Sequence, residues 1–163
     1  MKLLTCREGA AVIRDSEAVL FAEINARRGV CLPDGLLALI QGGNLEPLRD
    51  LRGVEGIPLE RLTPTLPYPV PPKIWCIGLN YRSHAEDINA VQPEEPGSFM
   101  KPASCLFEPG GDIVLPPPEI SSNVDVEGEL GVEIGKRCRY VPAGHVRDVI
   151  FGYTTTLDLT ALD

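Results

Sequence analysis

Glu127, Glu129 and Asp158 are the residues whose type and spacing invite chemistry. The stretch from Asp125 to Ile134 alternates. Val126, Leu130, Val132 and Ile134 fall on one parity, and Asp125, Glu127, Glu129 and Glu133 on the other. Period two predicts a strand with a buried apolar face and an acidic face opposite. On such a strand Glu127 and Glu129 share a face about 7 Å apart, at about 3.3 Å of rise per residue. Their charges repel, so solvent, a basic partner or a metal has to offset them. A solvated edge strand, acidic to discourage edge pairing, is the plainer explanation. Asp158 lies between Leu157 and Leu159 in a segment that reads as a buried strand. A buried lone carboxylate is costly unless it is paired or holds a cation; bonds to backbone amides at a strand end are the alternative. If that strand runs beside the acidic one, three oxygen ligands meet. All-oxygen ligation favours Mg²⁺, Mn²⁺ or Ca²⁺ over zinc. Three protein ligands on an octahedral ion leave positions for water and a chelating substrate.

Two more groups add to this set. His84 and Asp87 are three residues apart and share a face if they lie on a helix. A carboxylate there can fix the imidazole tautomer and raise its basicity, as a general-base dyad requires; an exposed helix pair is the alternative. Lys101 follows Phe99-Met100 and precedes Pro102. It can hold a substrate carboxylate or a developing oxyanion, or extend into solvent as a surface lysine. His145 sits among ordinary surface residues and is given no role. No GxSxG elbow and no glycine-rich phosphate loop is present, which argues against a serine hydrolase and a nucleotide enzyme.

The elements that must position these groups follow from the pattern. Residues 2–6, 10–13 and 18–24 read as strands, and 36–40 as a helix closed by Gly42-Gly43. A second helical piece is expected over 46–51. Pro64, Pro67, Pro69, Pro71 and Pro72 make a stiff extended connector. The division is therefore a small α+β unit over 1–62, a linker over 63–72, and the chemistry-bearing part over 73–163. In that part, 73–79 reads as a buried strand running into a helix start at 80–88. Strands are also expected at 99–101, 113–115, 125–134 and 151–159, with a short helix over 142–150. The chain stops at or just after its last strand, which reads as an incomplete domain.

Bulk properties narrow the function. The chain has 163 residues, 44% hydrophobic and 23% charged, with 16 Gly and 16 Pro. Those are globular values with many turns, which favours a β-rich fold. A net charge of −8 repels phosphate backbones and anionic membranes, so nucleic-acid and membrane partners are excluded. An anionic metabolite can still bind where a metal or a local lysine reverses the field. Cys6, Cys31, Cys76, Cys105 and Cys138 are scattered without a CxxC; they read as buried, reduced thiols in a cytoplasmic protein. The N-terminus is too polar for a signal peptide, and no apolar run spans a bilayer.

Taken together, the motifs resemble the fumarylacetoacetate hydrolase family. Ile77-Gly78-Leu79-Asn80-Tyr81-Arg82-Ser83-His84-Ala85-Glu86 is similar to the family's opening signature. Phe99-Met100-Lys101-Pro102 and Pro109-Gly110-Gly111-Asp112-Ile113-Val114-Leu115-Pro116 follow in the expected order. Asp125-Val126-Glu127-Gly128-Glu129-Leu130 with Ile134-Gly135-Lys136 resembles the metal strand, and Gly152 through Ala161 the segment carrying the third ligand. The resemblance implies a mixed β-sandwich roll within an α+β fold. It implies Mg²⁺ or Mn²⁺ on Glu127, Glu129 and Asp158, with Asp125 and Glu133 on the same face without a role. His84, Asp87 and Lys101 become the candidate catalytic residues, His84 on a mobile segment that closes over substrate. Tyr81 and Lys101 become candidate substrate contacts. Family members act on acylpyruvates, fumarylacetoacetate-like diketones, oxaloacetate or ring-cleavage products of aromatic catabolism, commonly as homodimers.

The sequence departs from the family pattern in three places. Asp87 stands where Glu is commoner, and Leu162 where an Arg usually helps hold substrate. The chain also ends where the family continues into a C-terminal part with further substrate contacts. Two functions are thus expected: a metal-dependent hydrolase, lyase or isomerase of a small 2-oxo or 1,3-diketo acid, or an inactive truncated chain acting as a structural subunit. A metal-dependent sensor that binds oxo acids without turnover is a third.

Overall fold

The computed structural model describes residues 1–163. The chain begins with an antiparallel sheet in the order β1 (Lys2–Cys6), β2 (Gly9–Arg14), β3 (Glu17–Leu20) and β4 (Ile57–Pro58). Two-residue turns join the first three strands. Arg14 pairs with Glu17 across the second turn, where Asp15 takes φ 55°, a left-handed conformation that primed hairpin turns need and Asp tolerates. The Arg14 guanidinium closes this turn by an ion pair to Glu17 at 3.0 Å.

Alternation along β2 and β3 sends side chains to two separate clusters. Ala10, Val12 and Val19 pack with Phe21, Ile24, Leu32, Leu36, Leu39, Ile40, Leu48 and Val54 on one face. Ala11 and Ala18 pack with Cys6 and Leu62 on the other. The segment expected as one strand over 18–24 divides at Leu20: α1 runs Phe21–Arg28 and buries Phe21 and Ile24. Phe21 and Ile24 are three apart, the spacing of one helix face, and this face outweighs the β preference of the preceding Ala-Val-Leu. Gly29 ends α1 at φ 63° with its N–H on Asn25 O, a left-handed stop suited to glycine. The expected helix α2 is Leu36–Ile40, and the next helical piece is only a 3-10 turn over Glu46–Leu48.

The Pro-rich connector is more than a spacer. It runs along the free edge of β1, with Arg7 N–H on Thr63 O at 3.1 Å and Thr65 N–H on Thr5 O at 2.9 Å. It also reaches forward: the Tyr68 hydroxyl donates to Glu133 Oε2.

Beyond it lie two separate antiparallel ribbons. β5 (Ile74–Gly78) pairs with β6 (Gly97–Lys101), and α3 (Arg82–Asp87) follows β5. β7 (Val124–Ile134) pairs with β8 (Ile150–Ala161), with a bulge at Glu133/Ile134. A 3-10 turn over Ala143–Asp148 replaces the helix expected there. Residues 113–115 form no strand; the run is apolar but has no partner, and Val114 is fully open to solvent.

The burial of the ribbons reverses the expectation. Val126, Leu130, Val132 and Ile134 face solvent, Leu130 at 58%, together with Tyr153 and Leu157 of β8. Glu127, Glu129 and Glu133 are half-buried on the inner face. Strand β5, expected to be buried, exposes Trp75 and Ile77. All but two of the 17 buried residues lie between Cys6 and Leu62; the exceptions are Ala85 and Ser121. The cysteines follow suit. Only Cys6 is buried, Cys76 is half-buried, and Cys31, Cys105 and Cys138 are exposed.

Candidate functional site

The register of β7 and β8 assembles the acids. Glu127 pairs directly with Asp158, and Glu129 with Thr156. Directly opposed residues of an antiparallel pair share a face, as do residues two apart on one strand. Glu127, Glu129 and Asp158 therefore occupy one patch of the inner face. Gly131 is the next residue on it, opposite Thr154. A Cβ there would meet Thr154 Cγ2 at 2.8 Å, so the threonines of β8 fill the space beside the acids.

The second ribbon supplies the roof. Lys101 pairs with Ile74, and Cys76 with Phe99, which puts Lys101 and Cys76 on one side of β5–β6. Lys101 Nζ contacts Asp158 Oδ1 and donates to Leu159 O at 3.2 Å. The side chains are 26% and 16% exposed, respectively. Burial pushes the Cys76 thiol up, the Asp158 charge pushes it further, Lys101 partly offsets this, and Glu129 adds to it. Cys76 thus faces the acid patch, a neighbour that its scattered position in the sequence gave no reason to pick out.

Glu133 also has a partner. Tyr68 is held well above the usual phenol range, by burial first and then by the hydrogen bond and charge of Glu133. The expectation of a role-free Glu133 missed this anchor, because its partner lies 65 residues away in the proline-rich stretch.

Other expected residues stand apart. Tyr81 precedes α3 and is exposed, His84 is half-buried and Asp87 exposed. No hydrogen bond joins the His84 imidazole to Asp87, and none links Tyr81, His84 or Asp87 to the acid patch. His145, given no role, pairs at 3.0 Å with Asp148 on the surface.

The donor set suits a hard divalent ion: carboxylate oxygens only, on one half-buried face, with a cationic group already resting on Asp158. As they stand, no three acidic, histidine or cysteine groups are drawn to ligand spacing; Asp158 is turned to Lys101 instead.

The family model described as fumarylacetoacetate (FAA) hydrolase C-terminal matches residues 73–163, more than half of the chain. The chain belongs to the fumarylacetoacetate hydrolase family. The chain is similar to an uncharacterised protein of Archaeoglobus fulgidus, 49% identical over 98 residues, covering 60% of this chain and 38% of the relative. The mitochondrial oxaloacetate tautomerase FAHD1 of Arabidopsis thaliana is 43% identical over 89 residues, 55% of this chain and 39% of that one. Among solved structures, maleylpyruvate hydrolase of Sphingobium sp. SYK-6, in complex with manganese(II) and pyruvate, superposes with a TM-score of 0.75 at 32% identity. That match covers 99% of this chain and 60% of the hydrolase. The α+β fold with its family-type roll strands is thereby the one expected, and the chain spans about 40% of the length of the curated relatives it matches. No helix is long and apolar enough to cross a membrane.

Proposed function

We propose that this chain carries the metal-binding part of a divalent-metal-dependent enzyme that hydrolyses, decarboxylates or tautomerises a small 2-oxo or 1,3-diketo acid. The observation that carries this reading is the Glu127–Asp158 register with Glu129 beside it on the same half-buried face. Manganese and pyruvate in the hydrolase relative, and oxaloacetate as the substrate named for the tautomerases, support the ligand class.

Glu127, Glu129 and Asp158 would hold Mg²⁺ or Mn²⁺. The ion, when bound, would withdraw charge from the oxygens of a 2-oxo acid. Lys101 lies close enough to the patch for its ammonium to hold a substrate carboxylate. His84 is the proton carrier of the set, and Asp87, one turn on, would orient its imidazole. That pair acts once α3 brings the ring against substrate, and Tyr81 at the start of α3 would contact substrate with it. The open apolar face of β7–β8 supports a homodimer as the working assembly.

Turnover of oxaloacetate and acetylpyruvate with and without Mg²⁺, followed by ultraviolet absorbance alongside a solution mass, tests the reading. Mg²⁺-dependent loss of either substrate is expected. A chain that binds no divalent ion and turns over neither acid refutes it. A second reading, a structural subunit without activity, is favoured by the solvent-facing apolar side chains of both ribbons. It predicts a defined assembly with no turnover.

A further inference from the structure

We infer that Lys101 is an internal counter-cation that occupies the place of the divalent ion at Asp158. Metal binding then displaces the ammonium and releases it toward substrate. The inference rests on the metal site proposed above.

The two hydrogen bonds that join β5–β6 to β7–β8 both come from Lys101 Nζ, one to Asp158 and one to Leu159 O. The same ammonium makes the one ion pair formed by Glu127, Glu129 and Asp158. Without it, Asp158 would be a largely buried and unpaired carboxylate, which is strongly unfavourable. With it, two free carboxylates remain, matching the charge of a divalent ion. An ammonium resting on Asp158 repels a divalent ion bound to the same carboxylate, so the two cations compete for Asp158. Lysine suits exchange better than arginine. It is a compact point charge on a flexible stem, whereas a guanidinium fixes a planar fork. The Lys101 backbone is pinned opposite Ile74, so the displaced ammonium stays near the patch.

Mn²⁺ binding, read by electron paramagnetic resonance on the wild type, Lys101→Met and Lys101→Arg, tests this. Lys101→Met should bind Mn²⁺ about tenfold tighter or more, because a unit charge within a few ångströms is removed. Lys101→Arg, which keeps the charge, should not gain affinity. A second measurement needs only the wild type. Acetylation with a succinimidyl ester, read by peptide mass spectrometry, should modify Lys101 slowly beside the exposed Lys2, Lys73 and Lys136. Saturating Mn²⁺ should then raise Lys101 labelling alone. Equal or weaker Mn²⁺ binding by Lys101→Met, or Lys101 labelling unmoved by Mn²⁺, overturns the inference and leaves the carboxylate site standing. No Mn²⁺ binding by either the wild type or Lys101→Met removes the site itself, and the inference with it.

Discussion

Glu127 and Asp158 stand directly opposite each other across the β7–β8 ladder. The pair fixes which residues can join a cation site. Asp125 faces Thr160 on the same side, but it is exposed and its carboxylate bonds its neighbour's amide, Val126 N, at 3.0 Å. Glu127→Ala removes one of three carboxylates from the patch and should abolish measurable Mn²⁺ binding. Asp125→Ala should leave it intact. Isothermal titration of both variants reads the difference, and an unchanged affinity in Glu127→Ala rules out the assignment.

The Cys76 thiol is raised by burial and by Asp158. A raised pKa means less thiolate at any given pH, so Cys76 should alkylate more slowly at pH 8 than the exposed Cys31 or Cys138. Asp158→Asn deletes the negative neighbour and leaves the Lys101 charge unopposed. Both changes favour the thiolate, so the pH midpoint for Cys76 alkylation should fall. Iodoacetamide labelling across a pH series, resolved by peptide, measures it. A midpoint that rises or stays put would show that Cys76 does not face the patch.

Tyr68→Phe removes the hydroxyl that donates to Glu133 and leaves a half-buried carboxylate without a partner. Hydrogen bonds to charged groups contribute about 1.5–3 kcal/mol, so a loss near 2 kcal/mol is expected. Urea unfolding should show it as a lower midpoint at constant slope. Glu133→Gln, which can still accept the hydroxyl proton, should lose less.

Burial sets a contrast between the two halves. Ile24 is fully buried in the N-terminal cluster, and Ile24→Ala should destabilise by about 2–5 kcal/mol. Leu130 is apolar too but open to solvent in the single chain, and Leu130→Ser should stay within about 0.5 kcal/mol at concentrations where the chain is monomeric. Thermal denaturation of the pair decides it. A large loss from Leu130→Ser would mean that the outer face of β7 is covered in solution.

Much of the fold was legible because period two is unambiguous. The alternation from Asp125 to Ile134 marked a strand and sorted its residues by face. It could not say which face would be covered, because a pattern records which side chains travel together and carries nothing about what lies above them. Segment 18–24 failed for a different reason. Its alanines and aliphatics suit either state, and the Arg27-Arg28-Gly29 stop that marks a helix end lies beyond it in the chain. Residues 113–115 have strand-like composition, but a strand also needs a ladder partner, which composition cannot supply. That the two glutamates and Asp158 share a patch was readable in part, since charge on an alternating strand is a local signal. Lys101 on Asp158 and Tyr68 on Glu133 were not, because they join residues 57 and 65 apart in sequence.

The uneven distribution of buried residues has a consequence for how the chain comes into being. Nearly everything that excludes water lies before Leu62, and a growing polypeptide folds its N-terminal units first. The small α+β unit can therefore be finished while the acid-bearing strands are still being made. When β7 and β8 emerge, they meet a solid seat: Tyr68 waits for Glu133, and Phe151 packs against the completed cluster. The N-terminal unit can in this way template the docking of the acid-bearing strands.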